Sequence, residues 1–266
     1  MLLKKYTAVF NVTFKESIAY RFDTLTSALF SFLKIYLAYL LWQAIFTGKE
    51  TIGGYTFPMM LTYYILITFI TRIARSENII WETAEEVRTG GYTKYITRPI
   101  RHFSYCLARS LSKGAFSFLV DTIAFILWII IFRSYFFIPE NPVNVLYFIL
   151  FSFLGLFTLM QVHYLIALIS FKTVDIAGPY FFFSNFIEFM SGSFIPLLLL
   201  PALVQKIISF TPFYYILYYP VSLYLGRELD RMGQALIVIV GWNLIFALYR
   251  TFLYKRMISL YEGVGA

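Results

Sequence analysis

Few side chains in this sequence can do chemistry, and those that can fall in two places. One is the segment WETAEEVRTGGYTKYITRPIRH at residues 81–102, which crowds Trp81, Glu82, Glu85, Glu86, Arg88, Arg98 and Pro99 around a Gly90–Gly91 pair. The other is a scatter of ionisable groups inside apolar stretches: Lys34, Asp121, His163 and Glu188. An ionisable group at bilayer depth costs several kcal/mol unless it is paired or lines a water-filled path, so each is a functional candidate. Lys34 lies ten residues past Thr24 and Asp121 eight past Lys113, similar depths of roughly 12–15 Å at the helical rise. A Lys34–Asp121 ion pair between two spans is therefore allowed, serving either to hold helices together or to touch substrate, and Lys34 can also snorkel. His163 reads as a packing residue or a pathway group. Glu188 stands in FFFSNFIEFMSGSFIP, beside Ser184 and Asn185 and just before Gly192 and Pro196. A broken helix beside an acid suits a cavity, because irregular backbone is tolerated at that depth only next to protein or water. Glu188 is the first candidate for a pathway.

The same residues argue against catalysis. Two histidines, His102 and His163, cannot build a His-rich metal site, and the SGS run at 191–193 has no histidine placed for a Ser–His dyad. Cys106 is the single cysteine, so no intrachain disulfide exists. No G-x-x-x-x-G-K-[ST] loop occurs; TGKE at 47–50 lacks both the upstream glycine and the hydroxyl after Lys49. The EEVR at 85–88 places Gly90 where the Glu-Glu-x-x-x-Arg pattern of intramembrane CAAX-type proteases needs arginine. An enzyme, with a catalytic, metal or cofactor site of its own, is not expected.

The elements that must position these residues follow from composition. Hydrophobic residues make up 60% of the chain and charged residues 14%, with a mean hydropathy of +0.73. A soluble domain carries roughly a quarter charged residues, so lipid must solvate this one: the class is an all-α integral membrane protein forming a single domain over 1–266. Apolar runs of about 20 residues, the length a spanning helix needs, lie near 24–47, 56–75, 113–132, 144–170, 176–197 and 234–254, predicting six spans. A further apolar stretch, 198–226, is cut by Pro201, Pro212 and Pro220. On this layout sixteen Lys and Arg residues, at 4–21, in the loop group from Arg72 to Lys113, at Lys172 and at 250–256, fall on one side against five on the other, Lys34 lying within the first span. The excess places both termini and the 76–112 segment in the cytoplasm. The net charge of +8 is then that of cytoplasmic loops, with lipid and not nucleic acid as the partner. Residues 1–20 suit an amphipathic helix along the inner leaflet, and no cleaved signal peptide is expected.

Within the polar segment, residues 77–89 read as a short helix, capped by Ser76 or Asn78 and stopped by Gly90 and Gly91, since glycine takes the left-handed conformation readily. YITRP then predicts an extended stretch, because the residue before Pro99 is pushed out of the helical region. A compact helix is expected beneath the membrane, free to dock in a partner, or else merely solvated or laid on the bilayer.

GGYTKYITRPI at 90–100 resembles the Gly-Gly, Leu/Tyr, Arg-Pro pattern in the cytoplasmic loop of bacterial ABC-2 type transporter permeases, and is most similar to their six-helix branch. SGSFIPLLLLPALVQKIISFTPFYYILYYPVSLYLG at 191–226 resembles that branch's Pro at the end of span five, Pro-Phe pair, Pro-Val-Ser run and Gly. The tail LYEGVGA resembles its Tyr-x-Gly-Gly-like ending, with Ala266 where glycine is common. The resemblance implies an exporter in the bacterial cytoplasmic membrane. Two permease subunits, the same or related, would each contact one of two separate ATPase subunits, which hold the ATP and magnesium. It implies that Trp81, Glu82, Glu85, Glu86, Arg88, Gly90, Gly91, Arg98 and Pro99 form the ATPase-coupling element and that residues 1–20 are the elbow helix. Pro196, Pro201, Pro212, Phe213 and Pro220 would belong to a re-entrant helical pair gating the pathway from outside. The alternative is an ion-coupled secondary carrier. Such carriers often show inverted repeats and paired broken helices, whereas one broken region is found here.

Overall fold

The computed structural model describes residues 2–173, 175–259 and 261, all helix, turn or loop apart from an isolated Ile52–Tyr55 bridge. The helices are α1 (Leu2–Ala19), α2 (Arg21–Ile45), α3 (Phe57–Ala74), α4 (Asn78–Arg88), α5 (Thr93–Thr97), α6 (His102–Ile131), α7 (Val143–Ala167), α8 (Ala177–Met190), α9 (Ala202–Ser209), α10 (Tyr218–Tyr224) and α11 (Met232–Ile258). Among the described residues, five stretches are long and apolar enough to cross a membrane: Arg21–Ile45, Phe57–Arg88, His102–Ile131, Val143–Phe171 and Leu229–Ile258. The expected spans at 24–47, 56–75, 144–170 and 234–254 each coincide with a helix within a few residues. The third begins eleven residues before the expected 113, so Arg109 and Lys113 belong to a helix and not to a loop. The expected fifth span, 176–197, is corrected: α8 has 14 residues, about 21 Å, against a hydrocarbon core of about 30 Å.

What stops α8 is visible in the sequence that follows. Gly192 has φ +80° and Pro196 removes an amide donor. The freed backbone is satisfied from α3: the Tyr63 hydroxyl donates to the Gly192 carbonyl at 2.6 Å and that of Tyr64 to Phe194 at 2.7 Å. The Tyr218 amide donates to the Ser191 carbonyl at 3.1 Å. Tyrosine here serves as a buried donor on an apolar body, which an aliphatic side chain cannot do.

Four hydrogen bonds, two at each end, mark the two ends of the bundle. At one end Arg227 donates to the Gly54 carbonyl and lies 4.3 Å from the Tyr55 ring, and the Tyr224 hydroxyl donates to Phe137 at 3.3 Å. At the other, His102 and the Tyr164 hydroxyl share a 3.1 Å hydrogen bond, and Tyr261 meets Thr93 at 3.2 Å. Thus α7 finishes at the end carrying α4 and α5, while α11 starts from the opposite end. Helix α1 packs along α6, fixed by Ser112 donating to the Phe10 carbonyl at 2.7 Å. The core lies where α3, α7 and α10 meet. There Tyr63, Tyr218, Tyr219, Phe151 and Leu223 are fully buried. The tail resemblance at 260–266 lies, except for Tyr261, outside the described residues.

Candidate functional site

The polar segment folds into α4, a turn, α5 and the start of α6. Helix α4 covers 78–88, close to the expected 77–89, but neither expected cap acts through its side chain on the first turn. The Ser76 hydroxyl shares a 2.9 Å hydrogen bond with His163 Nδ1, and the Asn78 amide donates back to the Arg75 carbonyl. Gly90 ends the helix at φ +76°, as its lack of a Cβ permits; Gly91 is exposed beyond it. The expected extended YITRP is mostly wrong. Residues 93–97 are helical and Arg98 alone is extended, at φ −115° and ψ 148°, because the steric effect of Pro99 reaches back one residue only.

The face of α4 turned inward is held on all sides. Ile79 and Ile80 are buried against α7 and the turn that follows it. Glu82 accepts from Lys113 at 2.5 Å and lies 3.4 Å from Arg109, which also approaches Glu16 at 3.8 Å. That one carboxylate therefore ties α4 to α6, and through Arg109 to α1. Glu86 accepts from Lys94 at 2.6 Å and from the Tyr95 hydroxyl at 3.1 Å, with His102 Nε2 at 3.9 Å. Below it Tyr92, Tyr95 and His102 pack edge to face, with ring centroids 4.5–5.1 Å apart. Burial pushes the Tyr92 and Tyr95 hydroxyls well above the usual phenol range, and the Glu86 carboxylate adds to this at Tyr95. Both stay neutral at physiological pH.

The outward face carries Trp81, Glu85, Arg88 and Thr89, all exposed, at spacings of four, three and one that put them on one side of a helix. Arg88 and Glu85 pair at 2.7 Å in full view of solvent, a contact worth little to stability, while Trp81 is 41% exposed with its ring 4.9 Å from that of Tyr180. Ile96, Arg98 and Pro99, beyond the helix, are exposed as well. The nine residues singled out in this segment thus separate: Glu82 and Glu86 hold the helix from behind, Gly90 and Gly91 end it, and Trp81, Glu85, Arg88, Arg98 and Pro99 are presented outward.

Among the intramembrane candidates the Lys34–Asp121 pair does not form. Lys34 is exposed, and the fully buried Asp121 binds Arg72, its Oδ1 lying 2.5 Å from Nη2. The Arg72 guanidinium also reaches Ser27 Oγ at 3.0 Å and the Thr24 carbonyl at 3.3 Å, which joins α2, α3 and α6 at one point. Sequence reading missed Arg72 because it was counted among the loop charges, although it precedes the end of an apolar run. A second polar contact, also missed, joins α7 to α11: Gln161 donates to Asn243 at 2.7 Å, and Asn243 donates to Thr158 at 2.9 Å. Arg250 reaches Gln161 at 3.4 Å and stacks over the Phe103 ring. His163 and Glu188 come together on a cavity of about 280 Å³, with Glu77, Tyr180, Ser184 and Ser191 on its walls. Of the proline residues expected around a gate, Pro196, Pro212 and Pro220 are buried and Pro201 is exposed; Phe213 packs edge-on against Phe186 at 5.5 Å.

Comparison with curated proteins returned no match. The pattern of one family, described as "ABC-2 family transporter protein", matches residues 32–265, which takes in every element from the middle of α2 onward. An all-helical bundle with five membrane-length apolar helices agrees with that match. The chain belongs to the ABC-2 family transporter proteins: it is a multi-pass membrane protein, a transport permease and not itself the catalytic component.

Proposed function

We propose that the chain is the permease subunit of an ATP-driven exporter and that α4 is the element through which a separate ATPase drives it. The observation that carries this reading is the division of α4 into a face pinned by Glu82 and Glu86 and a face offering Trp81, Glu85 and Arg88. A helix that is clamped to α6 and α7 and leaves an aromatic and a charged pair outside is built to receive a partner and pass on its motion. Aromatic and arginine anchors are the residue types that dominate such interfaces.

On this reading the chain crosses the bilayer six times. The fifth crossing consists of α8 and the broken segment after it, since α7 ends at one face and α11 begins at the other. Both termini lie in the cytoplasm, α1 is the elbow, and α9 and α10 form the re-entrant pair, with Pro196, Pro201, Pro212, Phe213 and Pro220 at its bends. Two such subunits, identical or related, stand with two ATPases that carry ATP and magnesium, in the bacterial cytoplasmic membrane. ATPase closure pushes α4, and the push reaches α6 through Glu82–Lys113 and α7 through Ile79 and Ile80. The cavity holding Glu188, Glu77 and His163 lies between α7 and α8, where those helices shift, and serves the pathway.

Purification of the tagged chain in mild detergent from its own host, with bound subunits identified by mass, tests this. Trp81→Ala combined with Arg88→Ala is expected to weaken ATPase retention by at least tenfold, since an interface anchor contributes about 2 kcal/mol, while the permease elutes unchanged. A well-folded wild-type chain that never carries an ATPase would sink the proposal and favour an ion-coupled carrier.

A further inference from the structure

A cavity of about 300 Å³ opens where α1, α2, α4 and α6 converge, apart from the pathway and from the outward face of α4. Its cationic lining is Arg75, Arg109 and Lys113, and its acidic lining Glu16 and Asp23. Most of these charges are already matched. Lys113 and Arg109 share Glu82, and Arg109 also approaches Glu16. Two are not. Arg75 is fixed by donating to Ser117 Oγ at 2.7 Å, yet its Nη2 is buried without a hydrogen-bond partner; among the described residues no carboxylate lies within ion-pair distance of it, and Asp121, already bound to Arg72, acts on it only from farther off. Asp23 is exposed at the mouth and likewise has no ion-pair partner among the described residues. A second buried donor, Arg109 Nε, is also unpartnered. Burying such donors unmatched costs free energy that a ligand would recover.

A part-buried cation and an exposed anion that line one cavity without pairing with each other match a ligand that carries both charges. We propose that this cavity binds the headgroup of a zwitterionic aminophospholipid. The phosphodiester sits against Arg75 and Arg109, and the primary ammonium reaches out to Asp23. The position supports a lipid over a soluble phosphate compound. The cavity is walled by the first turn of α2 and by the exposed Tyr20; on the elbow reading proposed above, on which this inference rests, α1 lies along the membrane and turns there into a crossing α2, which is headgroup depth. A primary ammonium donates hydrogen bonds to a carboxylate and a quaternary one does not. An anionic lipid lacking an amine would leave Asp23 unmatched. A lipid seated here touches the elbow, the Arg72–Asp121 junction helices and the root of α4 together.

The test is native mass spectrometry of the detergent-purified chain, offered phosphatidylethanolamine, phosphatidylcholine and phosphatidylglycerol in equal amounts, with and without inorganic phosphate. The wild type is expected to retain phosphatidylethanolamine preferentially. Arg75→Gln should lower that retention about tenfold, the effect of removing one charge-assisted contact. Asp23→Asn, at an exposed position that leaves the fold untouched, should keep a lipid bound but abolish the preference for the ethanolamine headgroup. Equal retention of all three lipids by the wild type overturns the proposal, as does indifference to both substitutions. Displacement of the lipid by inorganic phosphate would show a free-anion site and overturn the headgroup assignment. None of these outcomes depends on whether an ATPase is bound.

Discussion

Asp121 is buried to zero exposure and meets Arg72, itself nearly buried, at 2.5 Å. Removing one member leaves the other charge uncompensated in the interior, which costs about 3–5 kcal/mol, whereas replacing both with apolar residues is often neutral. Asp121→Ala is therefore expected to lower the thermal midpoint sharply in detergent, and Arg72→Leu with Asp121→Leu to recover most of the loss. If the double variant is as unstable as the single one, the pair is not the reason Asp121 is there. The acid was legible because a carboxylate inside an apolar run stands out. Its partner was not, because depth was reckoned from Lys113 as though that residue lay at the interface. In the fold α6 begins at His102 and Asp121 meets the level of Ser27, seven residues and about 10 Å short of Lys34.

At the level of elements, the contact between α7 and the broken segment is set by a glycine. A Cβ built on Gly155 would lie 2.6 Å from the Tyr215 carbonyl oxygen and 2.8 Å from that of Ile216, and backbone cannot move aside as a side chain can. Gly155→Ala is expected to cost about 1–3 kcal/mol through overpacking. Gly241, within α11, has open space around it, so Gly241→Ala is expected to be neutral or to stabilise by up to about 1 kcal/mol. Thermal unfolding of the two variants side by side decides this; equal effects would mean that α7 and the 215–216 backbone are not in contact. Helix positions were readable from apolar length, and the stop of α4 from its glycines. The break after α8 was half legible: Gly192, Pro196 and the polar run Ser191–Ser193 signal it, but apolar residues resume beyond them and carry the expected span on to 197. The break comes from Gly192 and Pro196 and is tolerated because Tyr63 and Tyr64 of α3 supply donors from about 130 residues away in sequence.

For the whole molecule, the arrangement of ends makes a labelling pattern. On the proposed orientation, with both termini in the cytoplasm, single cysteines at Glu50, Ile138 and Asp230 are expected to react with a membrane-impermeant maleimide on intact cells. Those at Thr97, Lys172 and Ser259 should react only after permeabilisation; all six positions are exposed, and native Cys106 is buried and should stay silent. Reaction of Lys172 and Asp230 from the same side would remove the fifth crossing and with it the six-span reading. Much of the apolar surface of α2 and α11 is exposed in the single chain, which leaves these faces for lipid or for a second subunit.

The sequence by itself determined the class, the membrane-length helices, the existence and end of the α4 helix, and the family pattern later matched over 32–265. These follow from composition, apolar length and local backbone preference, all properties of neighbouring residues. Only the tertiary structure decided which acids of α4 face inward, which base neutralises Asp121, which donors satisfy the break after α8, and that Arg75 and Asp23 share a cavity without pairing. Each of those depends on contacts between residues tens of positions apart. In a bundle held by small shifts of helix register and rotation, one residue of offset changes the partner without changing the hydropathy of the segment.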